Sequence, residues 1–195
     1  MKHAVIVAHP SQNSFVMTIA TAYRDAVAER KHDAILRDLY RADFDPRLRE
    51  DELAWARDFR THPDVAAERH VLGDVEVFAL FYPLWLNAPP AMLKGYLERV
   101  FGFGFAYGRC RSGNEPLLRR RKLISFTSSG APTEWVIQTG AWQAVRTLFD
   151  AHFAAVCGME VVDHVHFGGI VPGTRADVVT KHFETVRRKA AEHFS

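Results

Sequence analysis

Five short apolar runs recur along this chain of 195 residues, and most lead into a stretch whose apolar residues have helical spacing. The first, "HAVIVAH" (3–9), is rich in valine and isoleucine and stops at a turn. The others are "DAILRDLY" (33–40), "VEVFALF" (75–81), "RKLISFTSS" (121–129) and "EVVDHVHF" (160–167). Continuous apolar runs of this length fit strands buried on both faces, as in a parallel sheet. The alternation therefore predicts one α/β domain over 1–195, with a doubly wound parallel sheet of five strands in the order 2-1-3-4-5. Charges in 33–40 suit an edge position. Helices are expected from Phe15 with Ser14 as N-cap, after Pro90, over about 136–156, and from 176 to the end. Residues 41–73 are polar and mixed, fitting short helices over a loop, and "GRCRSGNEPLLRRRK" (108–122) reads as a loop within the domain.

Net charge is +2, and the only basic cluster (Arg109, Arg111, Arg119, Arg120, Arg121, Lys122) lacks interleaved aromatics. A solvated face explains it better than nucleic acid does, with the 2′-phosphate of NADPH as a further candidate. The two cysteines show no CxxC spacing, no apolar run approaches a membrane span, and the N-terminal apolar run is too short for a secretion signal. A cytoplasmic protein without membrane insertion is expected. His164 and His166 share one face of a strand, but no third ligand converges on them, so no metal site is expected.

In such a sheet ligands sit beyond the carboxyl ends of the strands, where the first, third and fourth strands deliver three loops. "HPSQNSF" (9–15) leads into a helix whose free N–H groups and dipole favour an anion. "YPLWLNAPP" (82–90) places Trp85 and Leu86 at a bend, an apolar patch that something must cover. "TSSGAPTEW" (127–135) is small and rich in hydroxyls. The chain lacks G-x-G-x-x-G, a Walker A sequence, G-x-S-x-G and H-E-x-x-H. A phosphate seat at one end and a flat apolar wall at the other suit a flavin mononucleotide unit.

The segments "AHPSQNSF", "YPLWLNAPPAMLKGYLERVF", "GFAYG" and "TSSG" resemble, in order, those of the NAD(P)H:quinone oxidoreductase family. The resemblance implies a flavodoxin-like fold, FAD or FMN as cofactor, and NADH or NADPH as hydride donor. It also implies ping-pong transfer to a quinone or similar flat electrophile, in a homodimer that shares two active sites. Related members suggest two alternatives: an ancillary subunit of a potassium efflux system, or a general FMN, azo or nitro reductase. Carried over by residue, His9, Asn13, Ser14 and Phe15 would surround the phosphate and ribityl end. Pro83, Leu84, Trp85, Leu86 and Asn87 would run beside the ring and offer backbone N–H groups. Thr127, Ser128, Ser129 and Gly130 would hold the pyrimidine edge. Tyr107 would reach the partner's flavin, and Trp135 would face the pocket. Trp135 stands where several relatives hold tyrosine, and Thr139 or Gly140 where they hold histidine, so no titrating side chain is expected in the path of flavin reduction.

Overall fold

Strands β1 (Lys2–Val7), β3 (Val77–Pro83) and β6 (Lys122–Ser128) carry almost no exposed side chain, because helices cover both of their faces. The computed structural model describes residues 1–111 and 113–195. In it these strands pair in parallel, with β2 (Asp33–Asp38) on one edge and β7 (Glu160–Phe167) on the other. The order β2-β1-β3-β6-β7 is the predicted 2-1-3-4-5 order. The numbering differs because β4 (Tyr107–Cys110) and β5 (Gly113–Pro116) form a separate antiparallel pair. They lie in the stretch read as a loop over 108–122, of which residue 112 lies outside the described residues.

Successive side chains of a strand point to opposite faces, and the sheet accordingly splits the core in two. Val5, Val7, Phe81 and Phe126 pack under helices α1 (Phe15–Ala28) and α7 (Ala176–His193). Ile6, Phe78, Leu80 and Leu123 pack on the other side, under α2 (Pro63–Leu72) and α3 (Ala91–Val100). Ser14 caps α1 as predicted, its Oγ accepting the Met17 N–H at 3.1 Å.

The polar stretch 41–73 is organised by one arginine of α3. The Arg99 side chain is fully buried and pairs with Glu52 at 2.9 Å and with Asp64 at 2.6 Å. It also donates to the Asp45 carbonyl at 2.5 Å. Breaking a buried pair of this kind costs about 3–5 kcal/mol. Part of the basic cluster is structural too. Arg121 donates to the carbonyls of Leu72 and Gly73, capping α2, and Arg109 donates to the Ala54 carbonyl.

The long helix expected over 136–156 is interrupted. Helix α4 (Thr133–Gln138) ends before Gly140, whose φ of 77° breaks the helical path. A second helix starts with α5 (Ala141–Val145), runs through a π-helical stretch (Arg146–His152) and ends as α6 (Phe153–Cys157). The Phe153 N–H bonds to the Leu148 carbonyl, five residues back. Asp150 lies in this stretch and is 2% exposed.

Gly95 of α3 lets the loop before α2 approach the helix backbone. A Cβ there would stand 2.0 Å from the Pro46 carbonyl oxygen. Gly95→Ala is expected to cost about 1–3 kcal/mol in urea unfolding, despite alanine's higher helix propensity. An unchanged or raised midpoint would contradict the close approach.

Candidate functional site

A cavity of about 410 Å³ opens beyond the carboxyl ends of β1, β3 and β6. His9, Asn13, Ser14 and Phe15 line it from the first loop, Pro83, Leu84 and Trp85 from the second, and Ser128, Ser129 and Gly130 from the third. The three loops thus meet as the topology requires. A fourth wall, Ile170 to Pro172 after β7, was absent from the sequence reading.

At the first wall the leading N–H groups of α1 have no carbonyl within the helix to receive them, and Ser14 Oγ satisfies only that of Met17. Asn13 and Ser14 stand beside this positive end of the helix. The loop is pinned by Arg41, which donates to the Pro10 carbonyl at 2.6 Å. His9 Nδ1 accepts the Ser11 N–H at 3.0 Å, and burial lowers the pKa of the ring. The ring lies 5.7 Å from that of Trp85, centroid to centroid.

The second wall ends in a tight reversal. Trp85 and Ala88 exchange both backbone hydrogen bonds at 3.1 Å, while Leu86 and Asn87 take φ of 51° and 58°. Two successive left-handed residues are the signature of a type I′ turn. The turn alters the expected donor set. Leu84 N–H is bound to the Ser128 carbonyl at 2.7 Å and Trp85 N–H to Ala88. The Leu86 and Asn87 N–H groups have no partner among the described residues. Neither Leu86 nor Asn87 lines the cavity. Residues 41–73 do not bury this bend, since Trp85 is 45% and Leu86 102% exposed.

Behind the third wall lies a polar network. Thr127 is fully buried and faces β7 instead of the cavity; its Oγ1 stands 2.9 Å from His166 Nδ1 and 3.0 Å from His164 Nε2. His164 Nδ1 is 2.7 Å from Asp150 Oδ2. Ser129 Oγ lies 3.0 Å from His166 Nε2 and donates to the Ala131 carbonyl at 2.7 Å. Burial, with His164 adding to it, pushes the His166 pKa down to about 4. A histidine therefore sits one hydrogen bond behind the wall, where the sequence reading expected no titrating group. The signal was present in the two histidines spaced by two on β7. What was missing was the register, which sets Thr127 opposite His166 and Ser125 opposite His164.

Tyr107 and Trp135 are not brought to this cavity. Tyr107 lines a second one, of about 400 Å³, together with Trp55, Phe59, Phe103 and Phe149. Trp135 lies on α4, 48% exposed. Among the described residues no His, Cys, Asp and Glu cluster could hold a metal ion. No described helix is long and apolar enough to cross a membrane.

The cavity thus joins the free N–H groups of a helix start, an apolar second wall and a hydroxyl-rich third wall. A model described as the flavodoxin-like fold matches residues 1–193. The chain belongs to that family. It is 39% identical to an NAD(P)H oxidoreductase of Escherichia coli, over 82% of this chain and 79% of that one. It is 32% identical to an NAD(P)H oxidoreductase of Haemophilus influenzae, over 87% of this chain and 85% of the other. Among solved structures, an NAD(P)H:quinone oxidoreductase from Methanothermobacter marburgensis superimposes with a TM-score of 0.88 at 27% identity, covering 97% of both chains.

In this flavodoxin-like chain the turn at Leu86 is strained, since a left-handed residue with a Cβ costs about 1–2 kcal/mol. Leu86→Gly is expected to leave the isolated chain as stable as before or more stable by up to about 1 kcal/mol, strain relief offsetting the added freedom of the unfolded state. A drop of more than that in urea unfolding would show that the Leu86 side chain is covered in solution.

Proposed function

We propose that the chain is a flavin-dependent NAD(P)H:quinone oxidoreductase that carries FMN or FAD in the 410 Å³ cavity. The observation that carries this reading is the meeting of an anion-seating helix end, a flat wall and a hydroxyl-rich wall in one cavity. The names of the two oxidoreductase relatives and of the quinone oxidoreductase structure support it. The start of α1, with Asn13 and Ser14, holds the phosphate. Pro83, Leu84 and Trp85 lie along the ring, and Ser128, Ser129 and Gly130 border its pyrimidine edge. A bound flavin supplies hydride acceptance from NADH or NADPH and two-electron delivery to the quinone. The surrounding residues bind and orient it, and the hydroxyls and backbone dipoles of the third wall face the edge where negative charge develops. On this reading donor and acceptor would use the one cavity in turn, and ping-pong kinetics are expected. A cytoplasmic location fits the supply of NAD(P)H.

The purified protein is expected to be yellow and to release one flavin per chain on heating. A colourless protein that fails to quench the fluorescence of added FMN or FAD would end this reading.

The enzyme is proposed to work as a homodimer. Trp55 is 76% and Leu148 56% exposed, both around the cavity that holds Tyr107, while Trp85 stands open at the site and Leu86 is exposed on the turn beside it. A second copy covers these surfaces and brings Tyr107 to the partner's flavin. Sedimentation should find a dimer that persists at micromolar concentration. A stable, fully active monomer would be incompatible with the shared site.

A further inference from the structure

Four side chains join the buried carboxylate of Asp150 to the cavity wall: His164, Thr127, His166 and Ser129, and the run ends on the Ala131 carbonyl oxygen. The five contacts measure 2.7, 3.0, 2.9, 3.0 and 2.7 Å in that order. Each contact needs one hydrogen. An ionised carboxylate and a carbonyl only accept, whereas a hydroxyl and a neutral imidazole own one hydrogen each. With both imidazoles neutral, the four bridging groups own four hydrogens for five contacts. The run is one proton short.

The position of the missing proton follows by elimination. Ser129 gives its hydrogen to Ala131, so it receives one from His166 Nε2. His166 Nδ1 is then an acceptor and takes the Thr127 hydrogen, and Thr127 in turn receives one from His164 Nε2. The Asp150–His164 contact is left requiring a proton of its own. Electrostatics make the same demand. Asp150 is 2% exposed, and among the described residues His164 is the only basic group paired with it. A carboxylate buried without a cation is costly.

The other groups facing this pair do not replace that proton. Ser125 of β6 donates its own hydrogen to Asp150 at 3.3 Å, and the Tyr82 hydroxyl of β3 is buried without a partner among the described residues. Trp142 of α5 packs on His164 at 4.7 Å, with Arg146 stacked on the indole at 5.9 Å. Asp163 accepts the His164 backbone N–H and is paired with Lys189 at 2.7 Å, with His193 Nε2 3.2 Å away. His166, its pKa lowered to about 4, keeps a single hydrogen at neutral pH, as the count requires.

We infer that this run is a proton-loaded wire: one proton is stored at the Asp150–His164 contact and released through Ser129 to an anionic acceptor in the cavity. On release the acceptor takes the Ser129 hydrogen, and Ser129 takes the Nε2 hydrogen of His166. His166 Nδ1 takes the Thr127 hydrogen, and Thr127 takes the Nε2 hydrogen of His164. His164 keeps its Nδ1 hydrogen against the carboxylate. No electrons change hands, the protein ends one proton poorer, and the Ser129–Ala131 contact is the one left without a hydrogen. Uptake of a proton from solvent reloads the wire. Ser129 borders the cavity, and Thr127, His164, His166 and Asp150 act through it as positioning residues. The inference rests on the proposed function only for the identity of the acceptor, the pyrimidine edge of a flavin.

The test begins with ¹⁵N-histidine NMR of the protein as purified, at neutral pH. His164 should carry two hydrogens and His166 one, on Nε2. Ser129→Ala shortens the run to three contacts with three hydrogens, so His164 should lose its extra proton three hydrogen bonds away. Thr127→Val should do the same, and Thr127→Ser should restore the wild-type spectrum. Singly protonated His164 in the wild-type protein, or a His164 unaffected by Ser129→Ala, would overturn the inference. In the flavin-loaded protein, stopped-flow reduction by NADH or NADPH should slow by about 100-fold in Thr127→Val and recover in Thr127→Ser. Equal rates and pH profiles in all three proteins would refute release through Ser129. A protein that takes up no flavin sinks the proposed function instead, and the NMR count then decides the wire alone.

Discussion

The central strands β1, β3 and β6 satisfy one another's backbone groups and lie under helices on both sides, so β3 is apolar almost throughout and the fully buried polar side chains of β1 and β6, His3, Ser125 and Thr127, all have hydrogen-bond partners. Polar chemistry is thereby driven to the carboxyl ends, where the chain must leave the sheet and its N–H and C=O groups lose their ladder partners. The loops there are close together because their strands are neighbours. Each solves the loss of partners differently. The first starts a helix, the second folds back on itself at Trp85–Ala88, and the third leans on β7 through Thr127 and Ser129. The cavity is the space these three solutions leave.

Two buried charges show how differently one fold handles ions. Arg99 is surrounded by acceptors from three parts of the 41–73 stretch, so its charge is compensated several times over and serves to hold a segment with little apolar surface. Asp150 is paired, among the described basic groups, with one imidazole, and accepts a hydrogen from Ser125. The first arrangement ties its charge to several fixed acceptors, whereas the second places one carboxylate against one imidazole at 2.7 Å.

Strands and their order were legible in the sequence because uninterrupted Val, Ile, Leu and Phe runs have few other uses, and charges mark the edge strand. The three loops followed from that order, and of the residues that the family resemblance picked out in them, His9, Asn13, Ser14, Phe15, Pro83, Leu84, Trp85, Ser128, Ser129 and Gly130 line the cavity. Leu86 and Asn87 were misplaced because nothing in "WLNA" announces a type I′ turn; asparagine favours a left-handed conformation, but leucine does not. The structure of 41–73 stayed illegible because a residue 35 to 54 positions away, Arg99, organises it. Asp150 was invisible for a similar reason. Its partner His164 lies on strand β7, and regular helical spacing does not describe the stretch that carries Asp150.

That stretch is π-helical, and a π turn holds one residue more than the α turn it replaces. A chain with one residue fewer between 146 and 152 could close ordinary helical bonds straight through. Because the π turn absorbs its extra residue, the helix on either side would keep nearly the same faces, and the change would fall on the residues inside 146–152. Asp150 would swing off His164 while the sheet, the loops and the cavity stayed as they are. The buried acid of this protein is thus separable from its scaffold by a single codon gained or lost, with no substitution anywhere in the sheet. In lineages that share the fold, a one-residue gap at this place would record whether the acid was ever acquired.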